Sequence, residues 1–360
     1  MRLKHIDGLK LIFCFAVVLY HYYIVLCQCD INQCFRLIPD KVYSYGYLGV
    51  EFFFVVSGLL ISYTYKEKLV NGEISVGHFC KRRFISLYPM FAISNLLCMA
   101  ITIMDSGYQK SELTKSTASV YNAICVFSMN GMGTFHDHNF NFNSSLWFVN
   151  VLLICYVIYS FLSSRAKNKG QYVICMGIMV LVGWFCIVDS PGLPFLYYEN
   201  GRAYVGFFVG CLLYELQLNL SEKALKIMSY IGMTIMVAIG IVCMSTKSSA
   251  IWGNVDISLE ILGFPLLILI VDNIKPIRRL LDNRFVNRIS VLSTSVYFSH
   301  YIVFLTTRLI DTKLGLGLCY SSAKVFLVEM LFIVVCSIIF KVLVEDRATR
   351  YIKSKIKFSE

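Results

Sequence analysis

The feature that most constrains this chain is a series of apolar stretches, each about as long as a bilayer core is thick. A helix needs about 20 mainly apolar residues to cross roughly 30 Å of hydrocarbon. The 360-residue sequence has ten such stretches, at 9–27, 47–65, 84–104, 146–162, 172–188, 203–216, 227–244, 252–271, 290–309 and 325–344. An eleventh, 118–130, is too short and polar to span and is expected to be interfacial or re-entrant. The pattern predicts an all-α integral membrane protein, a bundle of about ten transmembrane helices.

The composition excludes the competing classes. The chain is 57% hydrophobic and 15% charged, whereas soluble domains carry roughly 25% charged residues. Its 27 Phe and 23 Tyr beside only 6 Pro also exclude a disordered chain and a small disulfide-stapled scaffold. No linker or low-complexity run interrupts the pattern, so residues 1–360 are expected to form a single membrane-embedded domain.

The lysines and arginines predict the orientation. With ten spans both termini lie on one side, and the loops of that side hold 24 of the 33 basic residues, against 7 in the opposite loops. Short cytoplasmic loops are enriched in Lys and Arg, so both termini are expected to be cytoplasmic. The net charge of +11 then reflects the bilayer and predicts no nucleic-acid partner. A multi-pass protein of the cell membrane, the inner or cytoplasmic membrane of a bacterium, is expected.

A lysine and a histidine share one face of the first predicted span. Lys10 and His21 are eleven residues apart, which is about 20° from three full turns and about 16 Å along the axis. Lys10 is expected at the cytoplasmic mouth and His21 near mid-depth. An ionisable group at that depth usually faces a cavity or a partner, which makes His21 the leading catalytic candidate. The structural alternative is a histidine that hydrogen bonds to a neighbouring helix.

This pair suits acyl transfer from a coenzyme A thioester. A neutral imidazole can take the proton of an attacking hydroxyl, and a cation at the cytoplasmic mouth can hold the phosphates of the donor. Because the thioester is already activated, no covalent enzyme intermediate is required. No nucleotide-binding glycine loop or Gly-x-Ser-x-Gly elbow occurs in the sequence.

Several motifs, taken in order, resemble the acyltransferase 3 family of multi-pass membrane O-acyltransferases that modify surface polysaccharides and related glycans. They are Asp7-Gly8-Leu9-Lys10 with ten residues before His21, the run 47–61, Arg82-Arg83-Phe84 leading to Tyr88-Pro89, Leu146-Trp147-Phe148, the segment 202–210, the run 295–300 and Val344-Glu345. Each motif is loose alone, but their order and spacing cover nearly the whole chain.

The resemblance implies roles for the basic residues. His21 corresponds to the histidine of the basic-x10-His motif, and Lys10 occupies its basic position. Arg82 and Arg83 correspond to part of the cytoplasmic basic cluster for acyl-CoA, with acetyl-CoA as the expected donor, although cytoplasmic loops are rich in arginine in any case. Many relatives carry a further arginine three residues after this pair, where this chain has Ser86.

Four further residues are predicted to belong to the site. Glu51 is a catalytic candidate that orients His21 or accepts a hydrogen bond from a sugar hydroxyl, or else an interfacial acid. Tyr297 and His300 lie about one turn apart and are predicted to line the acceptor cavity, with hydrogen bonding across the bundle as the alternative for His300. Arg202 is predicted to bind a diphosphate or an acidic sugar, or to snorkel to the interface.

No metal site is predicted. The only suggestive motif is His136-Asp137-His138, which lacks a third ligand at fixed spacing and suits an exposed loop better. Cys27, Cys29 and Cys34 cluster in one predicted outer loop, where a disulfide is an open alternative to free thiols.

The leading hypothesis is therefore a membrane O-acyltransferase, of O-acetyltransferase type, that transfers an acyl group from acyl-CoA to a sugar hydroxyl of a cell-surface glycan or lipid-linked precursor. A transporter or flippase of polysaccharide intermediates is the alternative, although no half-to-half repeat of the kind common in transporters is evident. A non-catalytic membrane scaffold or sensor is a second rival. Such a protein would have little use for Lys10 and His21 on one face.

Overall fold

The computed structural model of the protein describes residues 4–105, 120–245 and 258–355, and this part of the chain is helical, with no β-strand. Its α-helices are α1 Lys4–His21, α2 Asp40–Tyr45, α3 Leu48–Val70, α4 Val76–Met104, α5 Val120–Phe127, α6 Trp147–Arg165, α7 Lys169–Asp189, α8 Tyr198–Asn219, α9 Glu222–Ser245, α10 Phe264–Asn273, α11 Lys275–Leu281, α12 Arg284–Ile289, α13 Ser293–Leu314, α14 Ala323–Phe340 and α15 Asp346–Lys355. Single π-helical segments, Tyr22–Leu26, Leu259–Gly263 and Lys341–Glu345, adjoin α1, α10 and α14. The fold class predicted from the sequence is thus confirmed as all-helical.

Within the described ranges, seven helical segments are long and apolar enough to cross a membrane. They are Lys4–Leu26, Leu48–Val70, Val76–Met104, Ser144–Arg165, Lys169–Asp189, Arg284–Leu314 and Ala323–Tyr351. Each matches one of the predicted stretches, with bounds that agree to within one residue or extend beyond the stretch. The stretches at 203–216 and 227–244 lie in α8 and α9, but those helices are not among the seven. The stretch at 252–271 and the segment 118–130 fall partly outside the described residues, so the count of ten stays a prediction.

The helix α8 is less apolar than the seven segments because protein, and not lipid, surrounds it inside the bundle. It packs between α3 and α7, and most of its side chains are buried. Two glycines allow the close contact with α3. A Cβ atom on Gly58 would lie 1.8 Å from the carbonyl oxygen of Phe207, and one on Gly210 would lie 2.0 Å from that of Val55. Gly58 and Gly210 thus serve helix packing, as small residues do where helices of membrane proteins approach closely.

The apolar faces of α7 and α14 are directed away from the bundle. Only 22% of the apolar window of each helix is buried inside the protein. Their exposed side chains are large and apolar, among them Leu181, Phe185, Leu331 and Phe332. Contiguous apolar surface of this extent is unfavourable in water and suits contact with lipid tails.

Ion pairs and hydrogen bonds collect several helix ends at one end of the bundle. His5 of α1 lies 2.5 Å from Asp272 of α10, and the side-chain amide of Gln217 of α8 donates to the same aspartate at 2.7 Å. Lys66 of α3 pairs with Glu215 of α8 at 2.5 Å, with both side chains almost fully buried. The start of α1 therefore lies at the same end as the ends of α3, α8 and α10. We call this the basic end, because the predicted cytoplasmic clusters flank these helix termini.

Candidate active site

Two histidines from different helices meet at the contact between α1 and α13. The Nδ1 atom of His21 lies 3.0 Å from the carbonyl oxygen of Val17 and 3.2 Å from Nε2 of His300. The Nδ1 atom of His300 lies 3.0 Å from the carbonyl oxygen of Val296. Each ring thus reaches back one turn to the carbonyl of residue i−4 on its own helix, and this fixes the orientation of both rings.

These contacts determine the proton positions in the neutral pair. A carbonyl oxygen only accepts hydrogen bonds, so we assign a hydrogen to Nδ1 of both His21 and His300. Nε2 of His300 is then an acceptor and receives the hydrogen of His21 Nδ1. The remaining nitrogen of His21, Nε2, keeps its lone pair, and no described residue hydrogen bonds to it. This tautomer is the one a general base requires.

The exposure of the two rings differs. His300 is completely buried, and both of its nitrogens are engaged, whereas His21 is half-buried and lines a cavity of ≈ 120 Å³. The walls of this cavity, which we call the His21 cavity, are formed by Val17, Tyr20, His21, Tyr47, Val50, Ser145, Trp147, Arg202 and Tyr297. His300 thus contacts His21 and not this cavity, and its predicted contact with an acceptor stays a prediction.

His21 lies toward the end of its helical segment. The segment runs from Lys4 to Leu26, and His21 lies five residues before its end. The segment begins before the apolar stretch, with polar residues such as His5 held by contacts to other helices. The depth of His21 in the membrane stays a prediction.

Arg202 and Glu51 form a buried ion pair beside His21. Glu51 is fully buried, and its Oε1 atom accepts hydrogen bonds from Nε of Arg202 at 2.6 Å and from Nη2. The guanidinium carbon lies 4.8 Å from the centre of the Trp147 ring, a cation–π distance. Glu51 therefore contacts Arg202 instead of the His21 ring, and Arg202 lines the cavity. The predicted catalytic role of Glu51 stays a prediction.

A second cavity, of ≈ 190 Å³, lies toward the basic end. We call it the Lys10 cavity, because Lys10 lines it together with largely apolar side chains of α3, α6 and α13, including Phe53, Leu152 and Phe298. The Nζ atom of Lys10 pairs with Asp7 at 2.7 Å. Tyr297 lines both this cavity and the His21 cavity. Lys10 and His21, the two residues of the basic-x10-His motif, thus line separate cavities that have Tyr297 as a common lining residue.

A third cavity, of ≈ 260 Å³, contains Arg83 and Lys81 at the start of α4, and Tyr156 lines both this cavity and the Lys10 cavity. The Nη2 atom of Arg83 donates to the hydroxyl of Tyr65, and the guanidinium carbon lies 4.6 Å from the Tyr65 ring centre. Its Nε atom is buried without a hydrogen-bond partner in the described residues. Arg82 is not among the lining residues. Arg83 and Lys10 thus line two cavities that have Tyr156 as a common lining residue.

A polar segment that sequence reasoning did not select holds the wall of the His21 cavity. Asn143 donates through Nδ2 to Ser94 Oγ at 2.7 Å and accepts from Ser145 Oγ at 2.6 Å. Tyr297 then donates its hydroxyl hydrogen to the carbonyl oxygen of Ser145 at 2.6 Å. Asn143 is completely buried. The available signal was the dense run of Asn and Ser at 139–145, directly before an apolar span.

A buried acid was also missed. Glu260 lies in the π-helical segment Leu259–Gly263 and is 1% exposed. It lies beside Gly206, about one turn after Arg202 in α8, since a Cβ atom on Gly206 would lie 3.2 Å from Oε1 of Glu260. A carboxylate inside the predicted stretch 252–271 was the signal that marked it. The neighbourhood of Arg202 thus contains two acidic side chains.

The remaining candidates lie away from these cavities. His138 is exposed and contacts Asp137 and the ring of Phe140, and the described residues contain no group of three side chains suited to a metal ion. Cys27, Cys29 and Cys34 are free thiols in the structure. Cys27 and Cys34 are buried, and a hydrogen bond with Cys34, together with burial, raises the pKa of the Cys27 thiol.

Comparisons with known proteins identify the family. A protein of Rhizobium radiobacter described as protein 2 in the picA locus is 40% identical to this chain over 58 residues, which are 16% of this chain and 30% of that protein. The chain thus matches less than a third of the length of this relative. No solved structure matches it. The model of the acyltransferase 3 family, described as an acyltransferase domain, matches residues 3–345, nearly the whole chain. This match shows that the chain belongs to the acyltransferase 3 family, and its apolar helices are those of a multi-pass membrane protein.

Proposed function

We propose that this protein is a membrane O-acyltransferase, which transfers an acetyl group from acetyl-CoA to a sugar hydroxyl of a cell-surface glycan or of its lipid-linked precursor. In this proposal residues 1–360 form one domain of ten spans in the cell membrane, with both termini in the cytoplasm. The basic end is then the cytoplasmic end, as the excess of lysine and arginine in the loops on that side requires. Nucleic acid and metal ions have no part in the reaction.

The observation that carries the proposal is the set of contacts around His21, from which its tautomer is assigned. Its Nδ1–H is bound by the Val17 carbonyl and by His300, no described residue hydrogen bonds to its Nε2, and the residue lines the His21 cavity. A purely structural histidine would be expected to use both nitrogens in contacts within the protein, as His300 does. The arrangement instead supports a base held by two acceptors, with its reactive atom toward substrate.

The adjoining cavities support entry of the donor from the cytoplasmic side. Arg83 and Lys10 offer cations for the phosphates of coenzyme A, and the apolar wall of the Lys10 cavity suits the pantetheine arm. To meet His21, the thioester must pass Tyr297, which lines the wall between the Lys10 cavity and the His21 cavity. The acceptor hydroxyl then enters from the opposite end, next to Tyr20 and Tyr47.

The chemistry balances without a covalent enzyme intermediate. His21 Nε2 takes the proton of the sugar hydroxyl while its oxygen forms a bond to the thioester carbonyl carbon, and the carbonyl oxygen gains the negative charge. Collapse of this tetrahedral intermediate re-forms the carbonyl and breaks the carbon–sulfur bond. The departing thiolate takes the proton from His21, which gives free coenzyme A, the ester and the neutral histidine.

The test is release of free coenzyme A from acetyl-CoA by the purified full chain in lipid nanodiscs. We expect His21→Ala to reduce release to the uncatalysed rate while coenzyme A binding and thermal stability stay unchanged, because the substitution removes only the base. His138→Ala is the matched control, since His138 is exposed on a loop away from the cavities. Wild-type turnover by His21→Ala would refute the mechanism.

A cellular experiment addresses the acceptor. Mass spectrometry of surface glycans from cells with the wild-type chain or with His21→Ala should differ by one acetyl group per modified sugar. A transporter or flippase would instead change the amount of glycan at the surface and leave the mass of its repeating unit unaltered. That result, together with no coenzyme A release, would favour the transporter.

A further inference from the structure

The proposed reaction leaves one requirement without an assigned group. Attack on the thioester places negative charge on the carbonyl oxygen, and enzymes stabilise this oxyanion with preorganised hydrogen-bond donors in a site of low polarity. The donor has to face the same space as the base. Among the lining residues of the His21 cavity, the Tyr297 hydroxyl is already used, because it donates to the Ser145 carbonyl oxygen at 2.6 Å.

Arg202 meets the geometric requirement. Its Nε and Nη2 atoms are bound to Glu51, and no described residue hydrogen bonds to its Nη1 atom. Its side chain is 15% exposed and lines the same cavity of ≈ 120 Å³ as His21. A guanidinium keeps its charge at any pH relevant to a protein, so its free N–H groups are permanent donors. Base and donor thus face one small space from two different helices.

We propose that Arg202 is a catalytic residue, whose Nη1 donates a hydrogen bond to the oxyanion of the tetrahedral intermediate. This inference rests on the proposed function and adds the group that the reaction there lacks. As His21 Nε2 takes the proton of the acceptor, the carbonyl oxygen gains charge and binds the Arg202 N–H. When the carbon–sulfur bond breaks, the oxygen returns to a neutral carbonyl and the hydrogen bond weakens.

The surroundings of Arg202 fix its position. Glu51 is fully buried and binds two nitrogens of the guanidinium, and the Trp147 ring covers one face at 4.8 Å. These contacts remove the freedom of a long side chain, so little reorganisation is needed when the charge develops. Glu51 is therefore a positioning residue in this proposal, because it acts through Arg202.

The alternative use of Arg202 is to bind a permanent negative charge on the acceptor. The pairing with Glu51 argues against it, since the carboxylate already compensates the charge of the guanidinium. A compensated arginine still donates hydrogen bonds, which suits an oxygen whose charge exists only during the reaction.

The experiment uses acceptors without charge. Release of coenzyme A from acetyl-CoA is measured in nanodiscs with water or a neutral methyl glycoside as the acceptor, which offers nothing for an anion-binding arginine to hold. Arg202→Lys keeps the positive charge that pairs with Glu51 but lacks the Nη1 group that would donate to the oxyanion. The double variant Glu51→Gln with Arg202→Gln removes both charges together and avoids an unpaired buried ion.

Loss of one oxyanion donor lowers kcat by about 10²–10³-fold in enzymes studied this way. We expect a loss of this size in both variants. The KM for acetyl-CoA should stay within about twofold of the wild-type value, and the unfolding temperature should stay within a few degrees of it. Wild-type kcat in a folded Arg202→Lys protein would overturn the role of Arg202 while leaving the proposed function intact. If the wild type releases no more coenzyme A than His21→Ala, the proposed function fails and this inference with it.

Discussion

Replacing His300 by phenylalanine tests how the base is held in its reactive tautomer. The Nε2 atom of His300 accepts the hydrogen of His21 Nδ1 at 3.2 Å, and the ring packs with centroid distances of 6.0 Å to Tyr297 and 6.1 Å to Phe304. Phenylalanine preserves the aromatic packing and removes the acceptor. The Val17 carbonyl remains as the second acceptor, so the tautomer survives. We therefore expect a partial loss of activity in His300→Phe.

The magnitude follows from the change of charge on His21 during the reaction. A hydrogen bond between neutral groups contributes about 0.5–1.5 kcal/mol, and one to a charged group about 1.5–3 kcal/mol. His21 becomes an imidazolium as it takes the proton, so the bond to His300 strengthens by about 1–2 kcal/mol between ground state and transition state. At about 1.4 kcal/mol per tenfold change in rate, kcat should fall roughly 5- to 30-fold.

The assay is steady-state release of coenzyme A in nanodiscs with acetyl-CoA varied to saturation. We expect kcat to fall while the KM for acetyl-CoA stays constant, because His300 does not line either cavity on the donor path. His300→Gln is the rescue variant, since its amide oxygen can accept from His21 in place of Nε2. Unchanged kcat in a stable His300→Phe protein, or no difference between the two variants, would refute the positioning role.

Three other predictions concern the ion pair, the donor and the topology. Glu51→Gln should destabilise the protein by about 3–5 kcal/mol, seen as a lower unfolding temperature, because Arg202 loses its buried partner; a stability equal to the wild type would contradict the pairing. Arg83→Met should raise the Kd for coenzyme A about tenfold or more in calorimetry, as loss of one charge-assisted hydrogen bond implies, and an unchanged Kd would remove Arg83 from the donor site. A membrane-impermeant maleimide should label the exposed Cys29 and Cys319 on intact cells, and labelling only after cell lysis would reverse the topology. A hydrogen bond from Ser321 lowers the pKa of Cys319, so the labelling rate of Cys319 should reach its plateau at a lower pH than that of an ordinary thiol.

Much of the architecture was readable from the sequence because the bilayer imposes a simple rule. A helix that contacts lipid must be apolar for about 20 residues, and this requirement is local in sequence. The rule fails for helices that protein surrounds. The helix α8 crosses the interior of the bundle with Arg202 and Glu215 among its residues and falls below the hydropathy of the seven segments. Its polar residues have partners on other helices, and a hydropathy average over one stretch of sequence does not include those partners.

The candidate base was also predictable, but its partner was not. Periodicity placed Lys10 and His21 on one face, and the structure has both lining cavities that meet at Tyr297. His300 was predicted to line the acceptor cavity or to hydrogen bond across the bundle, and the structure places its Nε2 atom 3.2 Å from Nδ1 of His21. The two histidines are 279 positions apart, and no local pattern encodes that contact.

The sequence by itself determined the helical membrane architecture and the placement of Lys10 and His21 on one helix face, since apolar length and helical period depend only on nearby residues. The tertiary structure alone decided which atoms meet. It joined Glu51 to Arg202 across 151 positions and directed the Asn143 side chain to Ser94. A hydrogen bond depends on a separation of about 3 Å and on direction, and only the packing of distant helices sets those quantities.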